Sequence, residues 1–526
     1  MTVSAAAGTP QSQPGAGAGA GAGLIGAGHP PRPGRTWRRL AVVLLAIVLA
    51  VRLATLGTYP LADTSEARYG EIARVMRETG NWVTPQETPG TPFWAKPPLY
   101  AWLSASATYV FGVDEFALRL PSLLCGFAVL VLCGLWAGAL AREGERDDAA
   151  LLSRLVLATT VLFFVGYGAV MTDPSLGLCT AWMMVAFQRA VIERSGAAVW
   201  RYGLFVAAGL AMLAKGPVAF LYVALPAAVW ATWRHRWHEI WQTLPWFGGI
   251  ALWAVIALPW YAWAEARTPG FLNYFLVGEH VMRYLKPGWS GDRYGNAHIE
   301  LLGTIWAYLA GAVGLWAIPA LVLVRPQRAW LERAREWCRD DARLFALLAV
   351  LIPLVVFTFA RNLIWTYVLP VLTPLSALLG AELAARCSKA PTWRRSVVAV
   401  ATASAALLCV AVIGWAPLRA NGSSFAAPVA ALRLRAQADP RAQRALWYWG
   451  RKIPASLRFY SRGAAQAAPE LDARLAQLVP GARVYIAIVP EQLAGLQQVA
   501  AQHKLTLTVV GQVKHAAIAE VTKSAL

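Results

Sequence analysis

Charge is scarce in this chain, and acidic charge scarcer still: of 526 residues only 14% are charged, with 28 Asp and Glu against 48 Lys and Arg. Soluble domains carry about 25% charged residues, so an ordinary water-exposed shell is excluded. Cysteine is also sparse. The six, Cys125, Cys133, Cys179, Cys338, Cys387 and Cys409, fall in apolar runs or the loops between them, without metal-ligand spacing. Neither a disulfide framework nor a zinc cluster follows. Residues 418–526 carry no nucleotide-binding glycine motif. Nor do charges fall mid-span or halves repeat in inverted order, as a transporter or flippase of lipid-linked sugars would require.

What the chain does have is apolar bulk: 57% hydrophobic residues, 25 Trp, and a mean hydropathy of +0.46. This composition predicts a mainly α, polytopic membrane protein. The net charge of +20 sits mostly in short loops, where it sets orientation and attracts anionic membrane lipids; nucleic acid is not an expected partner. Spans of helical membrane length are expected near 40–56, 119–141, 150–166, 175–192, 200–214, 217–233, 245–265, 300–324, 344–360, 363–384 and 395–416, about eleven in all. Alternate loops are basic, at Arg142/Arg146, Arg189/Arg194/Arg201, Arg234/Arg236, residues 325–343 and Arg386/Lys389/Arg394/Arg395. The positive-inside rule then places the N-terminus in the cytoplasm, and Asp63, Asp173, Lys215, His280, Arg283, Arg361 and Tyr367 together on the opposite side.

Three parts are expected. Residues 1–38, rich in Gly, Ala and Pro, read as a disordered tail rather than a cleaved signal peptide. Residues 39–417 form the transmembrane domain. Residues 418–526 form a small α/β domain on the outer side, with strands at 445–450, 482–490 and 504–514 and helices in PELDARLAQLV and PEQLAGLQQVAAQ.

The first outer loop, 58–118, breaks the apolar pattern. It packs Asp63, Glu66, Arg68, Tyr69, Glu71, Arg74, Glu78 and Lys96 beside a membrane span. Glu66 to Glu78 reads as an amphipathic helix along the interface, closed by Thr79-Gly80-Asn81; Leu99 to Phe111 is too short to span. The plain reading of Asp63 and Glu66 is a solvated helix start. A second acid, Asp173, in another outer loop between spans favours a site instead, because ionisable groups near a bilayer are costly to keep. Asp173-Pro174 also fits a simple helix start. Lys96, fixed before Pro97-Pro98, suits either a headgroup contact or a phosphate ligand. Arg283 is a second phosphate candidate, and Glu279 with His280 a candidate divalent-metal pair.

The pattern D-x-x-E-x-R-Y (Asp63, Glu66, Arg68, Tyr69), then K-P-P-L (Lys96 to Leu99) and F-G-x6-R-L (Phe111 to Leu120), resembles the ArnT/protein-mannosyltransferase-type membrane glycosyltransferases. Asp173, Lys215-Gly216, G-E-H-x-x-R-Y and Tyr367-x-x-Pro370 follow in the expected order, so the resemblance covers roughly residues 40–385. It implies a GT-C fold of about 11–13 transmembrane helices in a bacterial inner membrane. It also implies a polyprenyl-phosphate-linked sugar as donor, and a lipid A-type or other cell-envelope glycolipid acceptor on the periplasmic face, with inversion. Carried over by position, Asp63, Asp173 and Glu66 are the catalytic set, and Lys96, Arg283, Tyr367 and Arg68 the donor-phosphate set. Protein O-mannosyl transfer is the alternative. One departure stands out. The ArnT type commonly has Glu before K-P-P, assigned with a His to a metal, and here that position is Ala95.

Overall fold

The computed structural model of the protein describes residues 35–295, 298–324, 335–438 and 445–524. Eight described helices are long and apolar enough to cross a membrane, from Glu115–Leu140 to Pro391–Gly422, which makes this a multi-pass membrane protein. Three further expected spans are helical but fall short of that standard. Arg35–Ala54 carries arginines at both ends. The run 146–166 is split into Arg146–Ala158 and Val161–Gly166, where the Thr159 and Thr160 hydroxyls turn back onto the carbonyls of Leu155 and Leu157. Val218–Arg234 has only 17 residues. Of the expected disordered tail, residues 1–34 lie outside the described residues; the helix starts at Arg35, inside the expected boundary of 38.

The hub of the bundle is Leu369–Lys389, which packs against Arg146–Ala158, Glu115–Leu140, Asp173–Phe187 and Asp341–Thr358. Its faces are apolar nearly all round, as burial on every side requires. The rings of Trp136, Phe187, Trp230 and Phe345 fill one level of this core.

The first loop folds as two helices and a hairpin. Ser65–Thr79 ends at Gly80, whose φ of +67° lets its N–H return to the Met76 carbonyl at 3.0 Å. Strands β1 (Gln86–Thr88) and β2 (Thr91–Pro92) pair antiparallel and lead to Lys96. Leu99–Phe111 follows. The helix 65–79 was expected to lie along the bilayer with one apolar face. Instead it is enclosed on several sides, with Ile72, Val75 and Met76 buried along with the ion-paired Glu71 and Arg74. It is sandwiched between Leu99–Phe111 and Ala455–Tyr460, a short helix from the far end of the chain.

That far end forms a five-stranded sheet in the order β4-β3-β5-β7-β6: β3 (Leu446–Tyr448), β4 (Ala465–Ala467), β5 (Arg483–Ile488), β6 (Leu505–Val513) and β7 (Ala516–Lys523). β4, β3 and β5 run parallel; β7 is antiparallel to both its neighbours. Ile486, Ile488, Leu496, Ala519 and Val521 pack on one face, and Phe425, Leu457, Tyr485 and Ile518 on the other.

Candidate active site

A cavity of about 350 Å³ opens where the loop after the first span meets the ends of several helices. Three cations reach its wall, Lys96, Lys215 and Arg283, together with Glu279, His280, Asn362 and Tyr367. Each comes from a different local device. Lys96 is held by the following Pro97-Pro98 at the mouth of Leu99–Phe111. Lys215 is the last residue of Ala198–Lys215, released by Gly216 at φ +80°. A Cβ on Gly216 would stand 2.6 Å from the Phe275 ring, so both the turn and the close approach require glycine. Glu279, His280 and Arg283 come from a π-helical stretch, Asn273–Met282, and the residue after it. Tyr367 lies in the short turn Trp365–Val368.

The charges form two linked groups. Glu279 accepts from Lys96 Nζ at 2.9 Å, from Arg283 at 2.8 Å and from the Tyr274 hydroxyl at 3.1 Å. Burial alone would raise its pKa, but Lys96 and Arg283 outweigh it and hold the carboxyl at about 2. Lys96 moves the other way. Burial lowers its pKa, and the neighbouring Arg283 and Lys215 add to that, against the opposing pull of Glu279. In the second group Lys215 Nζ donates to Asp173 at 2.7 Å and lies 4.8 Å from the centre of the Tyr367 ring. Arg283 also pairs with Asp292 at 3.2 Å, so the three cations are answered by three carboxylates, Glu279, Asp173 and Asp292. An anion that enters shares these cations with the acids that already hold them.

The expected site residues thus divide. Lys96, Arg283 and Tyr367 converge on the cavity. Asp173 stands directly behind Lys215, itself only 5% exposed. Asp63, Glu66 and Arg68 are not on the cavity wall. Arg68 pairs with Glu87 of β1 at 2.7 Å, and Glu87 also meets Arg458 at 3.5 Å. Glu66 takes both arms of Arg119, at 2.7 and 2.9 Å, and accepts from the backbone of Ala62 and Val170. Both oxygens of Asp63 are engaged by Ser456, one by its backbone N–H at 2.9 Å and one by its hydroxyl. Burial pushes the Asp63 carboxyl up, with Ser456 and Arg68 opposing.

The proposed metal pair does not fit a metal in this geometry. Glu279 is committed to two cations, and both ring nitrogens of His280 face carbonyls, Phe275 O at 2.8 Å and Lys215 O at 3.3 Å. Burial lowers the His280 pKa, and a neutral ring has one N–H, which serves only one of these two carbonyls. Ala95 adds no donor: its side chain is a methyl group, and its carbonyl accepts from Lys96 at 2.7 Å. No group of three His, Cys, Asp or Glu suited to a metal occurs among the described residues. No step below is routed through a metal.

Two site residues have no role assigned from the sequence. Lys215 is placed only on the outer side and in the Lys215-Gly216 match. Asn362, 9% exposed and on the cavity wall, has a side-chain nitrogen with no hydrogen-bond partner. A buried donor left open is costly unless a ligand oxygen completes it.

The chain is similar to known proteins in sequence and in fold. Residues 35–275 match the family model described as dolichyl-phosphate-mannose-protein mannosyltransferase. An undecaprenyl phosphate-alpha-4-amino-4-deoxy-L-arabinose arabinosyl transferase of Pseudomonas savastanoi pv. phaseolicola is 31% identical over 350 residues, 65% of this chain and 60% of that protein. The Pseudomonas aeruginosa protein of the same name is 28% identical over 389 residues, 73% of this chain and 66% of that one. The chain thus spans about 60% of the length of the curated relative from P. savastanoi. Among solved structures, ArnT from Cupriavidus metallidurans bound to undecaprenyl phosphate superposes with a TM-score of 0.70 at 20% identity, over 91% of this chain and 97% of that one.

Proposed function

Because this chain is ArnT-like in sequence over about two thirds of its length and in fold over nearly all of it, we propose that it is an integral-membrane glycosyltransferase using a polyprenyl-phosphate-linked sugar. The observation that carries the reading is the convergence of Lys96, Lys215 and Arg283 on the wall of one cavity. A sugar–phosphate–lipid diester carries one negative charge. When its anomeric C–O bond breaks, the departing lipid phosphate carries two. Cations fixed around the phosphate favour that second charge as it develops, and a buried site strengthens the effect. Tyr367 lies against Lys215 and stiffens its position.

In this reading Lys96 and Arg283 hold the phosphate, dividing their charge between it and Glu279, which bridges and neutralises the two cations while the cavity is empty. Asp173, behind Lys215, receives the acceptor proton by way of the Lys215 ammonium if the acceptor is a hydroxyl; if the acceptor is already a phosphate, no proton need move. The acceptor is a cell-envelope glycolipid on the periplasmic face of the inner membrane, with the N-terminus cytoplasmic and the C-terminal sheet outside. Asn362, on the wall of the same cavity, supplies its open side-chain N–H to a sugar or phosphate oxygen.

The test is transfer in liposomes from defined polyprenyl-phosphate sugars, with a lipid A-type acceptor in one arm and a hydroxyl-bearing peptide in another. Glycolipid product is expected. Product only on the peptide would favour the protein-mannosyl alternative, and no product from any donor would sink the proposal.

A pH effect follows from Lys96. Its lowered pKa means its charge is lost at a lower pH than an ordinary lysine loses it. Donor KM is therefore expected to rise early on the alkaline side, and Lys96→Arg, which stays charged, should move that rise to higher pH. Donor KM measured against pH for both proteins checks this.

A further inference from the structure

The acid that opens the first-loop motif has been drawn away from the cavity by the far end of the chain. Asp63 Oδ1 accepts from Ser456 N–H at 2.9 Å and Oδ2 from the Ser456 hydroxyl, which in turn accepts from Phe425 N–H at 3.1 Å. Ser456 is fully buried. Two backbone tethers flank this contact. Leu61 N–H donates to the Tyr460 hydroxyl at 2.7 Å, which donates to Glu115 at 2.6 Å, and Asp63 N–H reaches the Ser423 carbonyl at 3.4 Å.

The packing beneath is equally close. Phe459 belongs to the same buried cluster as Leu61, Ile72, Phe93 and Ala95. Gly70 faces this seam: a Cβ there would stand 2.5 Å from Leu61 and 3.8 Å from Phe459. Arg458 reaches Glu87 of β1, and the hairpin that contains Glu87 ends four residues before Lys96.

We propose that Asp63 is a positioning residue, which acts through Ser456 to seat the helix Ala455–Tyr460 on the first loop and so fixes Lys96 against the donor phosphate. The functional part of this proposal rests on the transferase reading above; the seating itself does not. Both Asp63 oxygens are engaged by Ser456, and Asp63 does not line the cavity. Its loss releases the helix, the hairpin beside it, and then the lysine.

The seating is read in the full-length protein in detergent by hydrogen exchange. Asp63→Ala is expected to raise exchange of the amides in 455–460 without changing it in the hub helix 369–389. Unchanged exchange at 455–460 would overturn the proposal whatever the enzyme's activity. The functional part is read by a double-mutant cycle. Asp63→Ala and Ser456→Ala are each expected to raise donor KM about tenfold with kcat kept, and the double variant to lose about tenfold rather than a hundredfold, because the two act through one contact. Asp63→Asn, which still accepts from the Ser456 N–H, should recover most of the loss. If Asp63→Asn instead removes kcat while Ser456→Ala is silent, Asp63 is a catalytic acid and the inference fails. If the wild type uses no polyprenyl-phosphate donor, the transferase reading fails, and the exchange result stands alone.

Discussion

Replacing Asp173 by Asn should lower kcat by about 10²–10⁴-fold, the usual worth of a positioned base, while donor KM falls rather than rises. The reason lies in the pair it forms. Lys215 is 7% exposed, and Asp173 is the carboxylate bonded to it, at 2.7 Å. Asn keeps an oxygen for the Lys215 hydrogen bond, so the fold survives, but it removes the charge that competes with the donor phosphate for Lys215. The phosphate then binds more tightly to a site that has lost its proton acceptor. Lys215→Met should do the reverse and raise donor KM, because one of three cations on the cavity wall is gone. Steady-state kinetics of the two variants, with donor binding measured separately, checks both signs. A parallel change in KM would mean that the pair does not exchange partners with the phosphate.

Much of the fold follows from patterning that the chain displays openly. The Leu99–Phe111 helix and the Gly80 stop appear where short apolar length and a glycine signal place them. β3 lies within an aromatic run, and β5 and β6 within runs rich in Val, Ile and Thr, that are expected to form strands. β7 was not legible. Its sequence AAIAEVTK is rich in alanine, a weak strand former, and it holds a buried Glu520 that is tolerated only because Arg483, at 2.9 Å, and Arg435 answer it. The helix Ala455–Tyr460 was missed for a similar reason. Six residues give too little periodicity to register, and its importance comes from contacts more than 390 positions away in sequence. The cations of the cavity were largely legible because charge beside apolar spans is conspicuous. The roles of Asp63, Glu66 and Arg68 were not, since a motif shows that charges are present but not which neighbour takes them. Asn362 carries no charge, and only its missing partner marks it.

Arg119→Leu is expected to be the most damaging single change to stability, costing about 3–5 kcal/mol, the range for breaking a buried ion pair from one side. Arg119 is completely buried. Its guanidinium meets both oxygens of Glu66 and the carbonyls of Leu56, Tyr59 and Pro60, at 2.6 to 3.1 Å, and it lies 4.1 Å from the centre of the Tyr59 ring. Leucine would leave a buried carboxylate held only by the N–H groups of Ala62 and Val170, and three carbonyls without their donor. Burial pushes Glu66 up, but Arg119 outweighs it and holds the carboxyl below its ordinary value. The depressed folded-state value fixes the sign. The pair's contribution is complete above the unfolded value and is lost as pH falls through the folded one, so the wild type and Arg119→Leu should converge in acid. Glu66→Gln keeps the shape and most of the acceptors and should cost less, about 1–3 kcal/mol. Chemical unfolding in detergent at neutral and acid pH measures all of this. The consequence reaches the chemistry because Val170, held by Glu66, stands three residues before Asp173. The Glu66–Arg119 pair joins the first loop to the loop that presents Asp173, so partial loosening should appear as a lower kcat before it appears as unfolding. If Arg119→Leu unfolds at the wild-type denaturant concentration, the pair is not what joins these two loops.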